Sequence, residues 1–428
     1  MKVGVIGLAA TGIATARALA RRGVSVVVLD AKPLEQLSAD SIAALEANGV
    51  EVLAGTTALP TDITRVIPSP GVPESAPPLV EARERGLDVI SEIELAYELS
   101  KAPIAAVTGT NGKTTTTAML GAICRAAGRE TRVCGNIAED NGVRTPLIQA
   151  ADDAPENAIL VAELSSFQLA QTRTFRPKVA AWLNLTVDHM DRYESLGAYA
   201  ADKAKILANQ QESDTAVLNA DDPMVVRFAE DCGKGRRDWF SGNNPPERKL
   251  LVPGKHNLAN ADAAARMARA LGIDDATINA ALAAFPGVAH RMERVGESGG
   301  VVWINNSMCT NPAAVAASLD ACEGGIIAIC GGKHKGGDLT EMTAALAQKA
   351  RRVLLIGDAA EALSEALSGQ GYSAFTITGT LECAVAEATK VALTGETVIL
   401  VPGCASFDQF NSFEHRGQVF RDLVRARG

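Results

Sequence analysis

The run Thr108-Gly109-Thr110-Asn111-Gly112-Lys113-Thr114-Thr115 gathers glycines, hydroxyls and a lysine between an apolar stretch, Ile104–Val107, and a helix-patterned one, Thr114–Ala127. That is the setting of a phosphate loop. Glycines let backbone N–H groups wrap round phosphate oxygens, and a helix N-terminus adds positive potential. Lys113 then reaches the terminal phosphates of a nucleotide, and the Thr114 hydroxyl reaches Mg2+. The gap from Gly109 to Gly112 is two residues shorter than in the common G-x-x-x-x-G-K-[ST] loop. A plain glycine turn before a surface lysine is the bland alternative; strand, glycines, lysine and threonines together weigh against it.

Other residues could complete such a site. Glu163 ends the apolar stretch Ile159–Ala162, where a carboxylate can offer oxygen to Mg2+ or simply cap a helix. His189 follows the apolar stretch Val179–Leu183 and could ligate metal, orient a substrate or be structural. After Tyr199, Lys203 and Ala204-Lys205 read, on spacing alone, as a solvated helix face. Near the N-terminus, Gly7-Leu8-Ala9-Ala10-Thr11-Gly12 is an imperfect G-x-G-x-x-G, and Asp30 ends the next strand where a ribose-binding acid would sit. Either a nucleotide-like ligand or a tight turn satisfies it. His290-Arg291, Gly331-Gly332-Lys333-His334-Lys335 and Ser406-Phe407-Asp408-Gln409-Phe410 lie near strand ends or a boundary; each alone is compatible with ordinary loops.

The elements that must position these residues alternate. Val3–Gly7, Ser25–Asp30, Val50–Leu53 and Arg65–Ile67 read as strands, with helices at Gly12–Arg22 and Ser38–Asn48. A second series begins near Ala102 and includes a helix at Asn260–Leu271, and Phe285-Pro286-Gly287 breaks the pattern. A third has strands at Val301–Ile304, Ile326–Cys330, Val353–Ile356 and Val398–Val401, with helices at Pro312–Ala321 and Leu381–Leu393. Three α/β domains are expected, at residues 1–92, 93–286 and 287–428: Rossmann-like, then a parallel or mixed ATPase-type sheet, then Rossmann-like again. The 428 residues, 47% hydrophobic and 21% charged, provide ample core. The eight cysteines form no C-x-x-C pair, so reduced thiols in the cytoplasm are expected. A net charge of -9 excludes a dedicated nucleic-acid binder, and no apolar run is long enough to span a membrane.

Taken in order, these motifs resemble the Mur ligases, in particular the branch that adds glutamate. TGTNGKT, ELSSFQL (Glu163–Leu169) and DHMDRY (Asp188–Tyr193) resemble the family's central ATPase domain, and the G-x-H-N-x-x-N run Gly254–Asn260 its adenine-contacting segment. His290-Arg291, Lys335, Cys404–Phe410 and Phe413–Gly417 resemble its C-terminal domain. The resemblance implies an ATP- and Mg2+-dependent cytoplasmic monomer that joins D-glutamate to UDP-N-acetylmuramoyl-L-alanine through an acyl phosphate in peptidoglycan synthesis. It places Ala10, Thr11, Asp30, Ser69 and Gly71 near the uridine group, and Asn136 and Ser165 near the muramoyl part. Gly109, Thr110, Asn111, Gly112, Lys113, Thr114, Thr115, Asn257, Asn260 and Asn306 would hold ATP. Thr114, Glu163, His189 and a carbamylated Lys203 would hold metal, Arg291 would stabilise the transferring phosphoryl group, and Thr310, Lys335, Ser406 and Phe413 would hold the incoming amino acid.

The chain departs from the family where Asn-Asp-Ser-Lys is usual and Asn305-Asn306-Ser307-Met308 stands instead. An amide replaces a carboxylate and a thioether replaces a cation; Lys333 is the candidate compensator. Three alternatives stay open: a ligase of the family for L-glutamate or another amino acid, a nicotinamide oxidoreductase suggested by the N-terminal glycine turn, and a non-catalytic nucleotide-binding homologue.

Overall fold

The computed structural model describes residues 2–427 apart from 138–143, His189, Asp191, Pro253, 335–337 and the side chain of Ala313. Two compact units emerge: Met1–Leu250 with Lys255–Phe285, and Leu251–Gly254 with Pro286–Gly428.

The first unit carries two sheets. Strands β1 (Lys2–Ile6), β2 (Ser25–Asp30), β3 (Glu51–Ala54), β4 (Ile63–Pro68) and β5 (Asp88–Val89) pair in parallel in the order β3-β2-β1-β4-β5. Strands β6 (Ile104–Thr108), β7 (Thr131–Gly135), β8 (Ile159–Glu163), β9 (Val179–Trp182), β10 (Thr215–Asn219) and β11 (Arg236–Phe240) pair in parallel in the order β11-β10-β9-β6-β8-β7. Parallel pairing requires crossovers, and these put helices over both faces, which is why the central strands are apolar throughout. The order sets β6 between β9 and β8. Three loops that follow neighbouring strands therefore open at one place, where α/β sheets bind ligands.

The two sheets are bound to each other by more than a linker. One apolar cluster runs from Val3 and Val28 through Ile93 to Leu160 and Trp182. The buried Glu94 carboxylate accepts the N–H groups of Arg173, Thr174 and Phe175 at 2.8, 2.7 and 3.1 Å, and Glu92 accepts that of Ile148 at 2.7 Å.

The second unit is one mixed sheet with core on both faces. Strands β12 (Glu293–Ser298), β13 (Val301–Asn305), β14 (Ile326–Gly331), β15 (Ala350–Ile356), β16 (Phe375–Gly379) and β17 (Thr397–Gly403) run β12-β13-β17-β14-β15-β16. β12 is antiparallel to β13, and the other pairs are parallel.

The alternating βαβ order matches the sequence reading. Strands β5, β7, β11, β12 and β16, absent from it, lie at sheet edges, where half-exposed residues break the apolar run, and β10, also absent from it, is central and buried throughout. The helix expected from Asn260 begins at Lys255. All eight cysteines are free. No helix among the described residues is long and apolar enough to cross a membrane.

Candidate active site

Strand β6 leads into the loop 109–112 and then the helix Lys113–Ala126. Gly109 (φ +151°) and Gly112 (φ +83°) adopt backbone conformations that side chains disfavour. A Cβ on Gly112 would lie 2.4 Å from Asn260 Oδ1, so the helix Lys255–Ala270 packs its buried Asn260 directly on the loop. Asn257, one turn earlier, is also buried.

The loop is held from the end of β9. Asn184 Oδ1 accepts the N–H groups of Thr110 and Asn111 at 3.1 and 2.8 Å, and its amide donates to the Asn111 carbonyl at 3.1 Å. Thr110 Oγ1 accepts from Thr186 N–H at 3.0 Å and lies 3.4 Å from the Tyr199 hydroxyl. Among the expected nucleotide residues, Lys113 donates to the carbonyls of Gly109 and Thr110 at 3.0 and 2.8 Å, Thr114 is half-buried and Thr115 is buried.

Lys203 corrects the reading of a solvated helix face. It is 1% exposed, donates to the Gly109 carbonyl at 2.8 Å and lies 4.5 Å from the centre of the Tyr199 ring. The fourfold spacing from Tyr199 puts both residues on one side of the helix Leu196–Ala208, and that side faces the loop. Burial, with Lys113 nearby, pushes its amine down to about 7, while Asp188 and Glu163 oppose the shift. An ammonium is costly to bury without a carboxylate against it.

Glu163, at the end of β8, is 2% exposed. Its Oε1 accepts from Asn136 Nδ2 at 3.1 Å, and its buried Oε2 has no hydrogen-bond partner among the described residues. An orphaned carboxylate oxygen beside a phosphate loop fits a hard divalent cation, which takes one or two carboxylates plus substrate phosphates. His189, the other expected ligand, lies outside the described residues.

A cavity of about 420 Å³ opens in the same unit, between the two sheets. Ser69 and Glu92 line it from one side, and Gln168, Arg192, Tyr193 and Asp202 from the other. Ser165, one of the expected substrate residues, caps the short helix Ser166–Leu169 in a capping box with Gln168. Arg192 stacks over Phe167 at 4.3 Å, and Phe167 stacks on Tyr193 at 5.7 Å. Beyond Ser69, the N-terminal turn is braced: Ser69 Oγ donates to the Gly7 carbonyl at 3.2 Å, and Asp30 accepts the N–H groups of Leu8 and Lys32 at 2.7 and 2.9 Å. Ala10 and Gly71 are exposed beside it, and Thr11 is half-buried. Arg192, Phe167, Gln168 and Asn184 carry no role in the sequence reading. For Phe167, Gln168 and Arg192 the available signal was their place inside ELSSFQL and DHMDRY, and for Asn184 its place directly after the apolar stretch Val179–Leu183.

In the second unit, Arg291 lies between two residues with left-handed backbone, His290 (φ +61°) and Met292 (φ +45°). Such strain needs surroundings that fix it. Glu293 accepts the His290 N–H at 2.8 Å, Asn305 Nδ2 lies 3.0 Å from His290 Nδ1, and Asn306 Oδ1 accepts the Met292 N–H at 3.2 Å. That last bond fixes the amide orientation, so Asn306 Nδ2 donates to Ser318 Oγ at 2.8 Å while Ser318 donates to the Ala314 carbonyl at 2.7 Å. A carboxylate at position 306 could not donate there. Both ends of the Asn306 amide are thus engaged inside the fold. Thr310 follows β13, the buried Ser406 follows β17 and Phe413 opens the helix Phe413–Arg425. Lys335, expected with them, lies outside the described residues. Lys333 is exposed, and its backbone pairs with Ala405.

Three sequence families match in series. The Mur ligase MurD-like N-terminal domain matches residues 1–91, the Mur ligase middle domain 107–241, and the Mur ligase glutamate ligase domain 290–404. A UDP-N-acetylmuramoylalanine–D-glutamate ligase of Pelotomaculum thermopropionicum is 40% identical, covering 99% of this chain and 97% of its own. The enzyme of that name from Myxococcus xanthus is also 40% identical, over 99% and 98%. Among solved structures, MurF of Acinetobacter baumannii aligns with a TM-score of 0.64 at 18% identity over 98% of this chain and 93% of its own. The UDP-N-acetylmuramate–alanine ligase of Thermotoga maritima aligns at 0.61 and 22% identity over the whole of both chains. These two likenesses concern the three-domain fold. With near-complete coverage at 40% identity and all three domains matched in order, the chain belongs to the Mur ligase family.

Proposed function

We propose that this chain is the ATP-dependent ligase that forms an amide bond between UDP-N-acetylmuramoyl-L-alanine and D-glutamate, as its relatives at 40% identity are named. The observation that carries the reading is the phosphate loop with Lys113 and Glu163 gathered at the ends of β6 and β8 and Lys203 reaching the loop from the helix Leu196–Ala208. A carboxylate and a triphosphate repel each other, so their reaction needs concentrated positive charge.

In the first step an oxygen of the alanyl carboxylate bonds to the γ-phosphorus of ATP and the bond to ADP breaks. Lys113 and the loop N–H groups would hold the triphosphate in line, and Arg291 would meet the charge on the phosphoryl oxygens. In the second step the glutamate amine bonds to the acyl carbon, gives up a proton, and phosphate leaves. Thr114, Glu163, His189 and Lys203 as a carbamate would hold Mg2+, which supplies charge neutralisation at the phosphates. Asn257 and Asn260 would face the adenine side and Asn136 and Ser165 the muramoyl part. Ala10, Thr11, Asp30, Ser69 and Gly71 would bind the uridine diphosphate end; Thr310, Lys335, Ser406 and Phe413 would bind glutamate. The roles divide among residues 1–92, 93–286 and 287–428.

Phosphate release from Mg2+-ATP tests the reading. It should require both UDP-N-acetylmuramoyl-L-alanine and D-glutamate. Release with L-glutamate alone among the two enantiomers would move the chain to another branch, and release with neither would reject the assignment.

A further inference from the structure

The proposed mechanism makes no use of Arg416, one of the largest fully buried side chains in the molecule, at 0% exposed. Its guanidinium donates from Nε to Ser307 Oγ at 3.0 Å and from Nη2 to the carbonyls of Ser307 and Cys404 at 3.0 and 3.2 Å. Nη1 donates to the carbonyls of Ala405 and Gly331 at 3.3 and 3.5 Å. Among the described residues no carboxylate bonds to it; Asp408 acts on it only through space. These partners lie at the carboxyl ends of β13, β17 and β14, which are adjacent in the sheet. The residues that follow β13 and β17 include Thr310 and Ser406, and Gly332 and Lys333 follow β14. Ser307 also donates to the Phe413 carbonyl at 2.7 Å, which ties in the remaining residue of the expected glutamate site.

Neutral donors could staple three loops. A guanidinium buried without a carboxylate is a costly choice, and its place in the first turn of the helix Phe413–Arg425 sets it against the helix dipole. The uncompensated charge makes sense where an anion is to arrive: its field is weakly screened in a buried setting. Gly332 fits the same scheme, since a Cβ there would lie 3.0 Å from Nη1 and 2.2 Å from the Ala405 carbonyl.

We propose that Arg416 is a positioning residue for the dicarboxylate acceptor: it ties together the ends of β13, β17 and β14 at the acceptor site and gives them a standing positive potential. The proposal rests on the reading of the second unit as the glutamate-binding one.

Phosphate release with glutamate varied, at saturating Mg2+-ATP and UDP-N-acetylmuramoyl-L-alanine, tests it in Arg416→Gln, Arg416→Lys and Ser307→Ala. Arg416→Gln should raise the KM for glutamate by about tenfold or more, with the KM values of the other two substrates within about twofold of the parent. Arg416→Lys should recover at least about threefold of that loss, because it restores the charge. Ser307→Ala keeps the charge and removes one tether, so the KM for glutamate should rise by about two- to fivefold. An unchanged KM for glutamate in Arg416→Gln, an equal loss for all three substrates, or a lysine variant no better than the glutamine one would each overturn the proposal. Should the glutamine variant not fold, unchanged glutamate KM values in the other two variants would overturn it, and raised values would support it. If the parent chain itself releases phosphate without any need for glutamate, the functional reading falls and takes this proposal with it.

Discussion

Asn184 is the residue on which the shape of the phosphate loop most visibly depends, and Asn184→Ala removes three hydrogen bonds to Thr110 and Asn111. Each is worth about 1 kcal/mol net. Asn111 is exposed, so water recovers part of the loss, and about 2 kcal/mol of loop ordering disappears. Nucleotide binding must then supply that ordering, which weakens ADP by about thirtyfold. Asn184→Asp separates ordering from charge. A carboxylate still accepts both N–H groups but cannot donate to the Asn111 carbonyl, and it adds negative charge where the phosphates sit. It should bind ADP at least as weakly as the alanine variant while losing less stability. Calorimetric titration of ADP with unfolding curves measures both quantities. A folded alanine variant whose ADP affinity stays within about threefold of the parent would refute the idea that this side chain pre-organises the loop.

Two further outcomes follow from buried ionisable groups. With its amine pushed down to about 7, Lys203 is largely neutral above that pH, and its nitrogen can bond to the carbon of dissolved CO2 and release a proton. A carbamate resonance should therefore appear by NMR under 13C-labelled CO2, grow between pH 6 and pH 8 at fixed CO2, and be absent in Lys203→Arg; an active protein lacking that resonance at pH 8 would contradict it. Glu92 is 2% exposed, and burial pushes its carboxyl up to about 7. Between the ordinary carboxylate range and that value the folded chain holds a proton that the unfolded chain has released. Stability should thus fall as pH rises through that window, by roughly 3 kcal/mol at most, and Glu92→Gln should abolish the slope. Parent and variant unfolding curves that stay parallel from pH 4 to pH 8 would count against it.

The fold was legible at most of the unbroken apolar runs, though the short buried strand β10, flanked by polar residues, was passed over. β2, β6 and β8 are buried on both faces, so their residues announce themselves, and the glycines that close helices mark the spacing between them. The edge strands β7, β11 and β16 were not legible, because one side of an edge strand is wetted and its pattern dissolves into loop-like sequence. The phosphate loop was legible because a strand, two glycines and a lysine must be contiguous. Lys203 was not: spacing cannot distinguish a helix face turned to water from one turned to a loop 94 residues away in the chain. Arg416 escaped for the same reason, since the partners that bury it come from three strands. Asn306 shows a converse limit. As a sequence letter it is a lost charge, whereas in the fold both ends of its amide are engaged, by the Met292 N–H and by Ser318 Oγ.

The most direct test of the account follows the oxygen atoms. UDP-N-acetylmuramoyl-L-alanine carrying 18O in its alanyl carboxylate, reacted with unlabelled ATP and D-glutamate, should deliver one labelled oxygen to each phosphate released, because that oxygen forms the new bond to phosphorus and leaves with it. Phosphate free of label, with amide product still forming, would contradict activation of the carboxylate by phosphoryl transfer.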